Sequence, residues 1–236
     1  MNLRYICVVL TTRGNYAKMK STMQAIQSIK ELKLQVVVGG KLLDNTYDSF
    51  LKSIKEDGFI IDRELDYIEG DGSLYAVSKS AGKCTALFVD VLSELNPNIV
   101  IIIADRYEAL SLAHASLCMN IHIAHLEGGE ISGSIDERIR HAITKLSHIH
   151  FPSNKVSAGR LIKMGEKPDT IHVIGTPSLD QIENFDLSTL SFLLESKEYH
   201  CLKDVVYNND GYIVVSQHPV VTEYGSIKEP DFENEE

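Results

Sequence analysis

Short runs of β-branched and aliphatic residues alternate along the chain with longer amphipathic stretches. The runs Tyr5–Leu10, Gln35–Val38, Gly58–Ile61, Ile99–Ile103, Ile121–His125, Ile149–Phe151, Thr170–Ile174 and Tyr212–Ser216 predict strands. Several are apolar throughout, which is the pattern of strands covered on both faces, so the expected sheet is mostly parallel with helices on either side. Apolar positions recurring at three and four predict helices over about 16–32, 47–57, 75–95, 106–119, 134–147, 153–164 and 189–199. In 106–119 the expected sheet-facing stripe is Tyr107, Leu110, Ala113 and Leu117. Strand and helix in alternation predict an α/β fold, a Rossmann-like doubly wound parallel sheet.

After Ile182 the pattern weakens and the chain turns polar until Tyr212–Ser216 restarts it. This places a linker near 180–187, with a first domain over residues 1–182 and the opening of a second α/β unit over 183–236. One strand cannot close a sheet, so the second domain is expected to be incomplete.

Composition narrows the function classes. The 236 residues are 44% hydrophobic and 24% charged, as in ordinary globular proteins. The formal net charge of -10 disfavours nonspecific nucleic-acid binding, which needs excess cation against phosphate. Five acids and one base between Lys228 and Glu236 make the end of the chain especially acidic. Cys7, Cys84, Cys118 and Cys201 are far apart in apolar surroundings, without zinc spacing, and are expected as core thiols of a reducing compartment. The first residues make a poor signal peptide and no run reaches 18 apolar residues, so a cytoplasmic protein without a membrane span is expected.

Nucleotide motifs of the common kinds are missing. Gly70-Asp-Gly72 has Tyr75 where a dinucleotide fingerprint needs glycine, and Gly82-Lys83 is followed by Cys84 where a P-loop needs Ser or Thr. Five histidines (His122, His125, His141, His148, His150) crowd into 29 residues. His122 and His125 would face opposite sides of one strand, so no shared metal is expected.

The loops after the strands carry more. Open α/β sheets bind ligands outside the carboxyl ends of their strands. The first strand leads there into Thr11-Thr12-Arg13-Gly14-Asn15-Tyr16, where Arg13 at a helix start suits an anion, although a solvated loop arginine fits the spacing equally well. Ile99–Ile103 ends in Ala104-Asp105-Arg106, where Asp105 is either a site carboxylate or a helix N-cap. The densest stretch runs from His125-Leu-Glu127-Gly-Gly-Glu130 through Gly133-Ser134-Ile-Asp136-Glu137-Arg138-Ile-Arg140-His141. Ser134 and Glu137 fit a capping box. Capping does not account for Glu127 and Glu130 flanking two glycines, and acids from separate elements meeting beside Arg13 suit acid/base chemistry on an anionic substrate.

These segments, together with Thr144-Lys145, Gly175-Thr-Pro177-Ser178 and Gln217-His218-Pro219, resemble in residue and order the hydrolysing UDP-N-acetylglucosamine 2-epimerases of sialic-acid and related nonulosonate synthesis. The resemblance covers about residues 3 to 225 and implies a GT-B fold, two Rossmann-like domains with a sugar nucleotide between them. It implies release of UDP and N-acetylmannosamine without cofactor or obligatory metal, or the same reaction on a 2,4-diacetamido sugar. On that footing Asp105, Glu127 and Asp136 are the acid/base set, and Arg13, Glu130 and His218 bind substrate. The resemblance also implies a homodimer. Asn15 stands where the family commonly has an acid. The likeness breaks off near Tyr224-Gly225, so the expectation is a truncated chain, with an inactive sugar-nucleotide-binding module as the alternative to an enzyme.

Overall fold

A computed structural model of the chain describes residues 3–44, 48–103 and 105–183. The chain divides into two units, Met1–Asp180 and Gln181–Glu236. The predicted helix at 189–199, the strand Tyr212–Ser216, Cys201 and His218 lie outside the described residues.

The first unit is built on six parallel strands: β1 (Arg4–Leu10), β2 (Leu32–Gly39), β3 (Ile61–Leu65), β4 (Ile99–Ile103), β5 (His122–Leu126) and β6 (Ile149–Phe151). Their order across the sheet is β3-β2-β1-β4-β5-β6. The helices between them are α1 (Arg13–Ser28), α2 (Asp48–Glu56), α3 (Leu74–Leu95), α4 (Tyr107–Cys118), α5 (Ile135–Leu146) and α6 (Lys155–Lys163), and a short α7 (Ser178–Glu183) ends the described part.

The uniformly apolar strands have the predicted consequence: each face of the sheet carries its own core. Cys7 and Val9 of β1, Val100 and Ile102 of β4 and Ile123 of β5 pack under Phe88 and Leu92 of α3, Ala113 of α4 and Ile143 of α5. The alternate residues Val8, Leu10, Val36 and Val38 pack with Met19 and Met23 of α1 on the other face. Fully burying one such side chain contributes about 1.5–3 kcal/mol, so these two layers outweigh any surface contact.

Local chemistry sets the helix starts. Thr12 caps α1 by accepting the Asn15 N–H, Ser73 caps α3 by accepting the Ala76 N–H, and Asn154 caps α6 by accepting the Ser157 N–H. Because Thr12 is a cap, α1 begins three residues earlier than its periodicity predicts. The third strand begins at Ile61 and not at Gly58: Gly58 has φ 86° and the Phe59 N–H returns to the Ile54 carbonyl, so these residues finish the preceding helix.

Three expectations need correction. Thr170–Ile174 forms no strand. Pro168–Thr170 is a turn of 3-10 helix, and only Ile171 bridges to His150. Residues 180–183, the start of the expected linker, are helical in α7, and the rest of that stretch lies outside the described residues. In α4 the expected Tyr107, Leu110 and Ala113 face the core, but Leu117 is exposed and Glu108, Ala109, Ser111, Leu112, Ala115 and Ser116 are buried as well, because α4 lies between α3 and α5 and buries more than one stripe. Cys7 and Cys84 are buried, with burial pushing each thiol up to about 12, but Cys118 is exposed near His114.

Ile123, the second residue of β5, is fully buried. Replacing it with alanine is expected to cost about 2–5 kcal/mol, read as a lower urea midpoint with unchanged slope.

Candidate functional site

The strand order reverses at β1, since β2 lies on one side of it and β4 on the other. Connections from β1 and β4 therefore leave in opposite directions and open a crevice at the carboxyl ends of the strands, the usual ligand position in such sheets. Continuing from that crevice, β1, β4, β5 and β6 are successive neighbours, so their four exit loops stand side by side. They carry Arg13, Asp105, Glu127 with Glu130, and Ser153 respectively.

Asp105 is not the cap of α4. Arg106 occupies that position, and no side chain caps the helix. Asp105 instead pairs with Nη2 of Arg140 from α5, whose Nη1 donates to the Glu130 carbonyl at 2.8 Å. One guanidinium thus joins the exits of β4 and β5 to α5. Its side chain is 10% exposed and that of Asp105 24%, against 47% and 56% for the surface pair Arg63–Glu94. A pair like the latter contributes about 0–1 kcal/mol at most, whereas removing one partner of an enclosed pair costs several times more.

Glu127 is buried and has φ 59°, a left-handed conformation that costs a non-glycine residue about 1–3 kcal/mol. Its N–H donates to the Phe151 carbonyl at 3.0 Å, which carries the β5–β6 ladder one residue further before the chain turns. Its carboxylate accepts from Lys18 Nζ of α1. Gly128 and Gly129 follow. A Cβ on Gly129, at φ 81°, would lie 2.5 Å from the Ser157 carbonyl of α6, so this glycine is required by packing against protein, not by approach to a ligand. Glu130 accepts from the Ser153 hydroxyl after β6.

The α5 start departs in detail from the predicted capping box. Ser134 is the N-cap, but its hydroxyl accepts the Asp136 N–H, and Glu137 accepts the N–H groups of Ser132 and Gly133 at 2.7 Å each. Those bonds, from Gly133 first and Ser132 second, hold the Glu137 carboxyl below its ordinary value. Asp136 and Arg140, four residues apart, lie on one face of α5, and the Asp136 carboxylate accepts from the Ser134 hydroxyl at 3.4 Å.

Asn15 also acquires a reason. It is buried, and its side-chain oxygen accepts from the Thr11 hydroxyl at 2.8 Å and from the Thr11 and Thr12 N–H groups, closing the turn between β1 and α1. Arg13 is exposed in the first turn of α1. His122 is exposed and His125 buried, and the His122 ring lies against that of His148, tilted by 42° with centroids 4.8 Å apart.

Asp105, Glu127 and Glu130 thus follow the neighbouring strands β4 and β5, Asp136 lies in the first turn of α5, and Arg13 follows β1. Sequence reasoning missed the cations that pair with them. Nothing local links Arg140 to Asp105, 35 positions away, or Lys18 to Glu127, 109 positions away.

Comparison with known proteins now bears on this edge. The sequence pattern of UDP-N-acetylglucosamine 2-epimerase matches residues 24–230. The chain belongs to that family. It is 34% identical over 226 residues to a UDP-N,N'-diacetylbacillosamine 2-epimerase (hydrolyzing) of Legionella pneumophila, covering 96% of this chain and 58% of the relative. It is 35% identical over 221 residues to a UDP-N-acetylglucosamine 2-epimerase of Neisseria meningitidis, covering 93% and 55%. Among solved structures, the Neisseria meningitidis UDP-GlcNAc 2-epimerase bound to UDP-GlcNAc superposes with a TM-score of 0.69 at 17% identity, over 86% of this chain and 54% of that one. A Listeria monocytogenes homologue gives 0.70 at 19% identity, over 82% and 52%. The fold is that of these GT-B enzymes, and the chain spans about half their length. No helix among the described residues is long and apolar enough to cross a membrane.

The cap at Glu137 gives a pH prediction. A carboxyl with a lowered folded pKa contributes stability that is present above its ordinary value of 4.5 and lost as pH falls through the lowered one. The amide signals of Ser132 and Gly133 should therefore titrate together below pH 4.5 and stay flat in Glu137→Gln. A midpoint at or above the ordinary value would remove the cap from the account. Gly129→Ala is expected to destabilise by more than about 1 kcal/mol in denaturant titration, through strain at positive φ and the Ser157 contact.

Proposed function

We propose that this chain carries the acid/base half of a hydrolysing UDP-N-acetylglucosamine 2-epimerase, which converts its substrate and water into UDP and N-acetylmannosamine. The observation that carries the reading is the grouping of Asp105, Glu127 and Asp136 on the neighbouring exits of β4 and β5 and the first turn of α5. Elimination breaks the bond from C1 to the diphosphate oxygen, and a carboxylate takes the C2 proton to leave a C1–C2 double bond. Water then adds across that bond, with hydroxyl to C1 and a proton to C2 from the opposite face, which inverts C2.

The C2 proton is not acidified by a carbonyl, so departure of UDP runs ahead and cationic character grows at C1. Carboxylates around that carbon stabilise it, as in glycosidases. Arg13, Glu130 and His218 are the substrate-binding residues in this reading, with Arg13 and His218 on the diphosphate. It also takes residues 183–236 as the opening of the second, nucleotide-binding domain, the protein as a cytoplasmic homodimer, and the chemistry as needing no cofactor.

A second substrate is favoured by the identity to the Legionella pneumophila enzyme, whose name specifies a diacetylbacillosamine sugar. The same elimination and hydration applies there, with an acetamido group at C4.

Incubation with UDP-N-acetylglucosamine and, in parallel, UDP-2,4-diacetamido sugar in deuterated water is expected to release UDP, followed by phosphorus NMR, and a free sugar carrying deuterium at C2. Asp105→Asn, Glu127→Gln and Asp136→Asn should each slow release by about a hundredfold or more. Product without deuterium at C2 would exclude the elimination route.

A further inference from the structure

Glu108 is not used in the chemistry above, yet it sits in the first turn of α4 and lines the crevice where the strand order reverses, together with Thr11, Asn15 and Arg106. It is 3% exposed, and carboxylates are almost never buried so completely without a partner. Its Oε1 accepts from Arg106 Nε at 2.8 Å, while Oε2 is buried with no hydrogen-bond partner among the described residues. The groups around it are otherwise weak acids: burial first, and then the charge of Glu108, raises the hydroxyls of Tyr67 and Tyr107 and the thiol of Cys84. Arg106 is the cation that answers this carboxylate. It is itself 39% exposed, and no acceptor among the described residues takes its two terminal amino groups.

We propose that Glu108 is a positioning residue. By engaging Arg106 from the buried side through Nε, it fixes the guanidinium plane and leaves both terminal amino groups at the crevice for two oxygens of an anionic substrate group, here the diphosphate. The choice of Nε matters, because a guanidinium held at Nε keeps its paired amino groups for bidentate contact with an oxyanion. A buried acid two residues away along the chain makes this arm rigid, where an arginine at the mouth of a cleft would otherwise sample many rotamers. The inference rests on the sugar-nucleotide reading for the identity of the anion, but the pairing of Glu108 with Arg106 stands apart from it.

The test has two readouts on the 236-residue chain. In nitrogen-resolved NMR, the Arg106 Nε–H signal, assigned by its loss in Arg106→Lys, is expected to be sharp and slow to exchange in the unmodified protein. It should merge with freely exchanging arginines in Glu108→Ala. By calorimetry, UDP affinity is expected to fall at least about tenfold in Glu108→Ala, and the double variant with Arg106→Ala should bind no more weakly than Arg106→Ala alone. Glu108→Gln keeps an acceptor for Nε and should recover much of the affinity; it also serves if the alanine variant fails to fold. An Arg106 Nε–H that exchanges freely in the unmodified protein, or losses from the two sites that simply add, would overturn the proposal. If the unmodified chain neither binds nor cleaves the sugar nucleotide, the proposed function fails, and the NMR signal still decides whether Glu108 positions Arg106.

Discussion

Because β1 pairs in parallel with both β2 and β4, the chain must leave β1 toward one side of the sheet and return from β3 across it to β4. That reversal creates the crevice. It also orders the remaining strands so that β4, β5 and β6 follow one another away from it, which lines up exit loops separated by tens of residues in sequence. Each loop contributes one or two polar groups, and none of them alone would make a site. The apolar layers on both faces of the sheet hold the strands in register, so the loop positions inherit the rigidity of the core.

A cluster of acids on a chain of net charge -10 poses an electrostatic problem, since like charges at close range oppose both folding and the approach of an anionic substrate. The structure answers it locally. Arg140 holds Asp105 and the Glu130 carbonyl, Lys18 reaches Glu127 from α1, and Arg106 meets Glu108 at the crevice. Two helices, α1 and α5, and the residue that precedes α4 thus each supply a cation to the carboxylate-bearing edge. The strained backbone of Glu127 belongs to the same arrangement: the β-ladder bond of its N–H and the Lys18 contact hold a conformation that an isolated chain would not populate.

The fold class was legible because uniformly apolar strands separated by amphipathic helices have few other solutions; five of the predicted strands occur with shifts of at most a few residues at their ends, and the expected Gly58–Ile61 shares only Ile61 with β3. The failures share one cause. Thr170–Ile174 has strand-like residues and runs beside β6, with His172 and Ile174 donating to the His150 and Pro152 carbonyls, but its start is taken by a 3-10 turn and only Ile171 forms a bridge; α4 buries Glu108 and Ser116 because neighbouring elements cover that side. Periodicity records what a segment can present; it does not record which neighbour is there to receive it.

The candidate site divides along the same line. Glu127-Gly-Gly-Glu130 stood out in the sequence because two acids flanking glycines directly after an apolar strand are not explained by capping; Asp105 stayed open between site carboxylate and helix cap, and Asp136 was singled out only by the family resemblance. Residue type and local spacing determined that much. Only the tertiary structure decided that Asp105 faces Arg140 and does not cap a helix, that Gly129 serves the packing of α6, and that Lys18 lies against Glu127. Those contacts join residues far apart in the chain, and the energy that selects them exists only after the strands have been placed side by side.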